Sequence, residues 1–302
     1  FDGSNWSIPD DSSNSNTGTS SGMTAASLVQ STLNITTPYS RYALNFDSPS
    51  SDYIAIDDDN SIDLNNIDFS VSFWIKPNTT QSQLLLQKYT GGNGWAVYAF
   101  GVNGMYFYDG SFFQLDNSAP ANNVWTHYVV TANVSSGEYK IYLNGFLENT
   151  VSRAVSITAT TSPLYLASQN GTGFFYDGLM SNISIWNTSL NQTQVTELYN
   201  QGKPSNLNNH SAYSNLVSWW QLGENSSFDG TNWTVLDEKG TNNGTSANMT
   251  EADLVNGVGT SANGLSDGMG GADNIIGDAP YSTANAVSYG MGVDAKSTSV
   301  PS

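Results

Sequence analysis

Acidic side chains are the most numerous charged groups in this 302-residue sequence. Asp and Glu total 26 against 8 Lys and Arg, so the formal net charge at pH 7 is −18. Carboxylate oxygens are the ligands that Ca²⁺, a hard cation, prefers in proteins. Asp47 and Asp52 flank a turn after one predicted strand, and three Asp and one Asn at residues 57–60 follow the next strand. A calcium site and a solvated acidic loop are both open interpretations of these residues.

Aromatic side chains form a second chemically useful group, because their ring faces can stack on the C–H faces of sugars. Several of them lie on a predicted hairpin around an Asp-Gly turn and on the strand before it. Consecutive strand residues point to opposite faces, so only part of this set can be exposed. We predict carbohydrate binding by Trp95, Tyr106, Tyr108 and Phe113, with Phe112 and the run at residues 174–176 as further candidates. Packing in the core or against a neighbouring subunit is the alternative.

Other kinds of chemistry are disfavoured by residue type. The chain has no Cys and only two His, so neither a thiol nor a zinc site is expected. We predict that His127, on a strand, is packed in the structure and that His210, in an Asn-rich stretch, is solvated. The eight basic residues are scattered singly, which disfavours nucleic-acid binding and an anionic bilayer surface. No apolar run approaches the roughly 20 residues of a membrane helix, so we expect no membrane insertion.

The elements that position these residues are predicted to be short strands. Aromatic residues make up 12% of the chain, more than disordered chains carry, so a packed core is expected. Residues 69–75 and 125–131 alternate apolar and polar side chains, and residues 138–143 run into an Asn-Gly hairpin turn. Turn signals recur every 8–15 residues between 41 and 200. Only residues 191–200 read as a helix, which Gly202 ends. The pattern predicts an all-β fold with one short C-terminal helix.

An internal repeat divides the chain. The sequence Phe-Asp-Gly-Ser-Asn-Trp at residues 1–6 recurs as Phe-Asp-Gly-Thr-Asn-Trp at residues 228–233, and both copies continue to Met-Thr-x-Ala-x-Leu-Val. We therefore predict four segments. They are an incomplete repeat opening at 1–36, a jelly roll at 37–203, a linker at 204–215, and a second partial β-rich module with a Gly/Ser/Asn-rich tail at 216–302.

Four segments resemble the concanavalin A-like, laminin-G-like jelly-roll family. They are the strand ending Trp-Ile-Lys-Pro at 74–77, the Trp-Thr-His strand at 125–131, the strand into Asn-Gly at 139–145, and the closing strand with its helix at 175–202. Their order is collinear with the family and they cover about two-thirds of the chain. The resemblance implies a two-sheet jelly-roll sandwich.

The resemblance also bears on chemistry. Glucanase members of the family carry Glu-x-Asp-x-x-Glu on one strand, and none of the six Glu here has Asp at +2 and Glu at +5. We therefore predict that the protein is not an enzyme. Laminin-G-like folds often bind Ca²⁺ near a sheet rim, which makes Asp47, Asp52 and Asp58 the candidate ligands. The family's Ile-Asp-Glu near the closing strand is Met180-Ser181-Asn182 here, so one usual acidic position is lost.

The repeated openings and the tail resemble laminin-G-like proteins encoded by marine tailed phages. This resemblance implies a non-enzymatic virion surface protein, a fibre or capsid decoration, whose lectin-like jelly roll serves assembly and host glycan attachment. Its partners would be other virion subunits in an oligomeric assembly, and it would lie on the virion surface or outside the cell. The alternative is a cellular extracellular lectin-like adhesin or filament subunit.

The two repeat copies differ in one respect. A strand-like segment at residues 216–222 precedes the second copy, whereas no such strand precedes the first. In jelly rolls of this family the opening strand normally lies beside the closing one. We therefore predict that residues 216–222 fill that place beside residues 179–186, in the same chain or in a neighbour. The alternative is that they open an independent second domain.

Overall fold

The structure is a computed structural model that describes residues 4–5, 7–8, 17–24 and 40–258. The backbone forms two compact units, Phe1–Thr36 and Thr37–Ser302. In the first unit, strands β1 (Ser7–Ile8) and β2 (Gly18–Thr19) form a two-stranded antiparallel sheet. The predicted Gly/Ser/Asn-rich tail after residue 258 lies outside the described residues.

The second unit contains seventeen described strands and one described α-helix. The strands are β3 Tyr42–Phe46, β4 Tyr53–Ile56, β5 Phe69–Pro77, β6 Ser82–Thr90, β7 Asn93–Phe100, β8 Met105–Tyr108, β9 Phe112–Gln114, β10 Thr126–Asn133, β11 Glu138–Leu143, β12 Phe146–Ser152, β13 Leu164–Leu166, β14 Gly178–Trp186, β15 Leu216–Trp220, β16 Ser227–Phe228, β17 Trp233–Val235, β18 Gly244–Ala247 and β19 Leu254–Asn256. The helix, α1, spans Gln192–Tyr199. None of the described helices is long and apolar enough to cross a membrane.

Two antiparallel sheets form the predicted jelly-roll sandwich. One has the order β12-β11-β10-β5-β14-β3-β19, with β15 also paired to β14. The other has the order β16-β17-β18-β4-β13-β6-β7-β8-β9. Alternating strand residues face each other between the sheets, as Phe69, Val71, Phe73 and Ile75 of β5 do in the main core. The all-β prediction is confirmed.

Helix α1 covers the outer face of the first sheet. Asn191 accepts a hydrogen bond from the Gln194 N–H and completes a capping box, and Asn200 ends the helix in the left-handed conformation. The apolar face of α1, with Val195 and Leu198, packs on a second cluster that includes Trp186 of β14. This cover explains why both faces of β5 and β14 are buried.

The stretch at residues 204–215 is not the solvated linker that its Asn content predicts. It forms two short 3-10 turns, and both Leu207 in the first turn and Ala212 just before the second are buried in the same outer cluster. His210 is also buried, which corrects the prediction of a solvated side chain. Its Nδ1 accepts from the Ala212 N–H at 3.0 Å, so Nε2 carries the proton and donates to the Gln194 carbonyl, also at 3.0 Å.

The closing strand β14 has one long and two short neighbours. One edge pairs with β5 along its length. The other edge pairs with β3 at residues 178–180 and with β15 at residues 183–186. At the junction Asn182 has φ +48°, its N–H donates to the Gln221 carbonyl, and the Ser181 hydroxyl donates to the Tyr42 carbonyl. The prediction that residues 216–222 lie beside the closing strand is confirmed, within the same chain.

The strands after residue 215 belong to both sheets. Strand β18 pairs with β4, and β19 pairs with β3. The loop before β18 is held to β15, because the buried Asp237 accepts from the Trp219 N–H at 2.9 Å and the Trp220 indole donates to the Asn242 carbonyl at 2.6 Å. The boundaries predicted at 203 and 215 therefore do not separate a second module in the described part of the chain. Residues 216–256 complete the jelly roll predicted at 37–203, because their strands pair with sheet edges that the jelly roll would otherwise leave open.

We expect Trp220→Ala to lower the free energy of unfolding by about 3–5 kcal/mol, because it empties a fully buried site in the shared core. Denaturant unfolding should show one cooperative transition shifted as a whole. Phe146→Ala is the matched control, since Phe146 is 74% exposed and its loss should change stability by about 0.5 kcal/mol or less. Two separate transitions, with only the minor one moved by Trp220→Ala, would contradict the single sandwich.

Candidate functional site

An aromatic surface covers the outer face of strands β6 to β9. Along β7, Trp95 and Val97 point into the main core, and Tyr98 therefore points outward. Along β8 the same alternation sends Met105 inward and Tyr106 outward. The outer face thus receives large apolar side chains even though the sheet is already packed on its inner face.

These outward residues line a concave groove of about 410 Å³. We call it the aromatic groove, and it is formed by Leu84, Tyr98, Phe100, Tyr106, Phe112, Gln169 and Phe174. The volume lies within the range of small-ligand sites, and an apolar lining with few polar groups is typical of them. Phe100, Phe112 and Phe174 are 45%, 47% and 50% exposed, so their rings are accessible to a ligand.

Tyr98 lies at the centre of the groove and holds the other rings in place. Its ring centroid is 5.4 Å from that of Phe100 and 5.6 Å from those of Phe112 and Phe174. The Phe100 and Tyr106 centroids are 5.5 Å apart. Tilted and edge-on rings at these distances stabilise each other. The groove is therefore preorganised by contacts among its own rings.

The groove is neutral in an acidic protein. None of its seven lining side chains carries a charge at pH 7. Burial raises the pKa of Tyr98, so its phenol stays protonated. The Tyr106 hydroxyl and the Gln169 amide are polar groups that can hydrogen-bond a ligand. The surface therefore combines apolar ring faces with uncharged hydrogen-bonding groups.

The structure separates the four aromatic residues predicted to bind carbohydrate. Tyr106 lines the groove. Tyr108 faces the same side but is buried against Tyr89, whose ring centroid is 4.5 Å away, and against Phe112 at 5.0 Å. It supports the groove from beside it.

The predictions for Trp95 and Phe113 are wrong. Trp95 is fully buried in the main core and its indole N–H donates to the Ile62 carbonyl at 2.9 Å. Phe113 points away from the groove, packs on Tyr139 with the ring centroids 4.8 Å apart, and is covered by the Arg153 guanidinium at 4.5 Å. Both follow strand alternation, which places each on the opposite face from a groove residue.

Sequence reasoning missed Leu84, Tyr98, Phe100 and Gln169 as groove residues. Tyr98 and Phe100 are two positions apart, which is the spacing of side chains on one face of a strand, and this signal was available. Phe112 and Phe174 were named only as further candidates. The contact of Phe174 with Tyr98 depends on a loop that follows a distant strand, and local spacing carries no information about it.

The structure does not bring the three predicted calcium ligands together. Asp58 forms an ion pair with Lys88, whose ammonium is fully buried. Lys88 also lies 3.0 Å from a carboxylate oxygen of Asp63 and donates to the carbonyls of Thr160 and Ser162. A cation already occupies the place beside Asp58, so this residue does not fit a calcium site. Among the residues that the structure describes, no group of three or more His, Asp or Glu is placed to hold a metal.

Asp47 and Asp52 do lie together at one turn. Asp52 is 1% exposed, and its Oδ2 accepts from the Asp47 N–H at 2.9 Å. Its Oδ1 is buried without a hydrogen-bond partner. The pKa of Asp52 is raised to about 6, chiefly by burial; the hydrogen bond from the Asp47 N–H opposes this rise, and the neighbouring carboxylates Asp253 and Asp47 add to it. Asp47 accepts from the backbone and hydroxyl of Ser50.

His127 has the packed role that was predicted. It is buried, its Nε2 lies 2.8 Å from the Ser72 hydroxyl, and its ring stacks on Trp74 with the centroids 4.7 Å apart. Burial lowers its pKa to about 3, so the ring is neutral at physiological pH. It packs the outer face of the first sheet, beneath Tyr199 of α1.

Residues 48–196 match the family model Laminin_G_3, which is described as the concanavalin A-like lectin/glucanases superfamily. This segment is similar to laminin-G-like domains. The match covers about half of the chain and includes every strand that forms the aromatic groove. It excludes β3 and strands β15 to β19, although these belong to the same two sheets. The family resemblance seen in the sequence is thus supported for the domain.

Comparison with solved structures finds similarities at low sequence identity. A protein from Bacteroides ovatus assigned as carbohydrate-binding is 16% identical with a TM-score of 0.55, over 76% of this chain and 65% of that one. This chain therefore spans under two-thirds of that protein. A heptameric SAP-like pentraxin from Limulus polyphemus is 14% identical with a TM-score of 0.42, over 54% and 84% of the two chains. No curated protein matches the sequence.

Calcium binding at the turn of residues 47–52 stays a prediction. If it occurs, excess Ca²⁺ should raise the melting temperature relative to chelator at pH 7.5, because a ligand that binds only the folded state stabilises it. The effect should shrink at pH 5, below the raised pKa of Asp52, because the proton competes with the metal. Asp52→Asn should abolish the effect and Asp57→Asn, at an exposed neighbouring position, should retain it. Equal melting curves in calcium and chelator at pH 7.5 would remove the site.

Proposed function

We propose that this protein is a non-enzymatic glycan-binding protein whose binding surface is the aromatic groove. The observation that carries the proposal is the set of three exposed phenylalanine rings around Tyr98, on a jelly-roll sheet. Flat apolar rings match the C–H faces of pyranose rings, and the nearby hydroxyl and amide groups can bind sugar hydroxyls. The similarity in fold to a protein assigned as carbohydrate-binding supports this use.

The chemistry of the groove favours neutral sugars. Its lining has no Lys or Arg to pair with a carboxylate or sulfate. The whole chain has a formal net charge of −18, so an anionic glycan would approach against a repulsive field. We infer that neutral hexose glycans bind and that sialylated or sulfated glycans bind more weakly.

The lining of the groove also favours binding over hydrolysis. Glycoside hydrolysis generally uses two carboxylates on either side of the scissile bond. No carboxylate is among the seven residues that line the groove. A sugar bound there would contact rings, a hydroxyl and an amide. We therefore propose a binding role without turnover.

We further propose that the protein is a virion surface component, a fibre or capsid decoration that attaches to host glycans. The resemblance of the repeated openings to marine phage proteins supports this location. Many copies on one particle would raise the avidity of glycan binding above the affinity of a single groove. A cellular extracellular adhesin or filament subunit would use the same groove and is the alternative.

The groove can be tested with the full chain displayed multivalently on a glycan array. We expect binding to neutral hexose glycans, weakened roughly tenfold or more by Phe112→Ala, Phe174→Ala or Tyr106→Ala, because each removes a stacking surface. Phe146→Ala is the matched control, an exposed aromatic residue on β12 of the other sheet. Equal loss in the control, or no loss in the groove variants, would contradict the assignment, and release of reducing sugar would overturn the non-enzymatic role.

The location can be tested separately by particle purification. If the protein is a virion component, it should co-sediment with packaged DNA and capsid protein at a fixed copy number. Recovery from cell surfaces or medium at variable amounts, without packaged DNA, would support the cellular alternative instead. Neither outcome affects the groove assignment.

A further inference from the structure

The two repeat copies form the same hairpin in the same register. In the first unit, Ser7 pairs with Thr19 and Ile8 pairs with Gly18. In the sandwich, Thr234 pairs with Thr245 and Val235 pairs with Gly244. The turn between the two strands is one residue longer in the first copy, and with that one-residue insertion the repeat places these two sets of pairs at equivalent positions. Residues 7–8 and 17–24, which we call the N-terminal hairpin segment, thus carry a second copy of the paired strands β17 and β18.

The copy in the sandwich closes a sheet edge. Strand β18 pairs with β4, with Gly244 opposite Ile56 and Thr245 opposite Ala55. Glycine is required at 244, because a Cβ there would lie 2.6 Å from the side chain of Ile54. Downstream, Met249 is 3% exposed and belongs to the main core. Strand β18 reads Gly-Thr-Ser-Ala.

The N-terminal hairpin segment exposes what its counterpart buries. Residues 18–21 read Gly-Thr-Ser-Ser, identical to β18 at three of four positions. Gly18 is exposed where Gly244 is buried, and Met23 is 43% exposed where Met249 is 3% exposed. Within the described residues, the sheet of β1 and β2 has no third strand. Glycine is unfavourable in a strand unless a backbone or side chain packs closely against it, and the identity of Gly18 fits such a contact.

We propose that the N-terminal hairpin segment binds the β4 edge of the jelly roll in a second copy of this chain, taking the place of that copy's own β17–β18 hairpin. Gly18 then lies opposite Ile56 of the second copy and Thr19 lies opposite Ala55, in the register that β18 uses. Because donor and acceptor surfaces are different parts of the molecule, the contact is heterologous and can join copies head to tail. It is a strand exchange that depends on neither the groove nor its ligand.

The exchange competes with the hairpin of the acceptor's own chain. That hairpin is covalently attached and has a high effective concentration at β4. The exchange is therefore detected when the internal hairpin is weakened. Gly244→Val does this, because the added side chain meets Ile54. Gly18→Val in the same acceptor stops its own N-terminal hairpin segment from filling the edge.

Cysteine trapping can test the register, since the chain has no native Cys. The donor is the full chain with Thr19→Cys, and the acceptor is the full chain with Ala55→Cys, Gly244→Val and Gly18→Val. After mixing and mild oxidation, a donor–acceptor disulfide should form, because facing strand residues have Cα atoms about 4.5–5.5 Å apart. A donor with Ser21→Cys is the matched control, equally exposed but two residues out of register. We expect at least fivefold more cross-linked heterodimer from Cys at 19 than from Cys at 21.

Two further arms keep the test decisive. Thr245→Cys with Ala55→Cys in one chain should give an intramolecular disulfide and calibrates the register. If the acceptor does not fold alone, a full chain without introduced Cys serves as the donor. Increasing concentrations of this donor should restore the native tryptophan fluorescence of the acceptor, whereas a donor with Gly18→Val should not. Equal yields from positions 19 and 21, or no restoration by up to several hundred micromolar donor, would overturn the proposal.

Discussion

Closure of open sheet edges by residues 216–256 is the constraint on which the rest of the structure depends. The closing strand β14 has one edge that β3 covers only at residues 178–180, and β4 has an edge that residues 48–196 leave free. Strands β15 and β18 provide the missing partners. They also bring Trp220 and Trp233 into the main core. Backbone hydrogen bonding and core packing are thus satisfied by the same segment.

The aromatic groove is a consequence of this packed sandwich. Because the inner face of β7 is fixed in the core by Trp95 and Val97, the outward direction of Tyr98 is fixed as well. The loop after β13 adds Gln169 and Phe174 to the outer face of strands β6 to β9, and the rings of Phe100, Phe112 and Phe174 stay about half exposed there. The first sheet, in contrast, is covered by α1 and the turns at residues 204–215. The sandwich therefore has one covered face and one exposed aromatic surface.

Local patterns were enough to predict the strands, the helix and the place of residues 216–222, because alternation and turn residues act over a few positions. They were not enough to choose which aromatic residues face solvent. Strand β7 carries large apolar side chains on both faces. Alternation therefore places Trp95 and Tyr98 on opposite faces of the strand but does not show which face is buried. The ion pair of Lys88 with Asp58 also escaped prediction. It joins residues 30 positions apart, and its carbonyl acceptors Thr160 and Ser162 lie more than 70 positions away.

Native-state hydrogen exchange of the full chain tests the central claim most directly. Backbone amides open with a free energy set by the cooperative unit to which they belong. If residues 216–256 complete the sandwich, the ladder amides of β15 and β18 should exchange with the same opening free energy as those of β5 and β14. Rapid, independent exchange of β15 and β18 while β5 and β14 stay protected would show that these strands are an appendage, and would contradict the account.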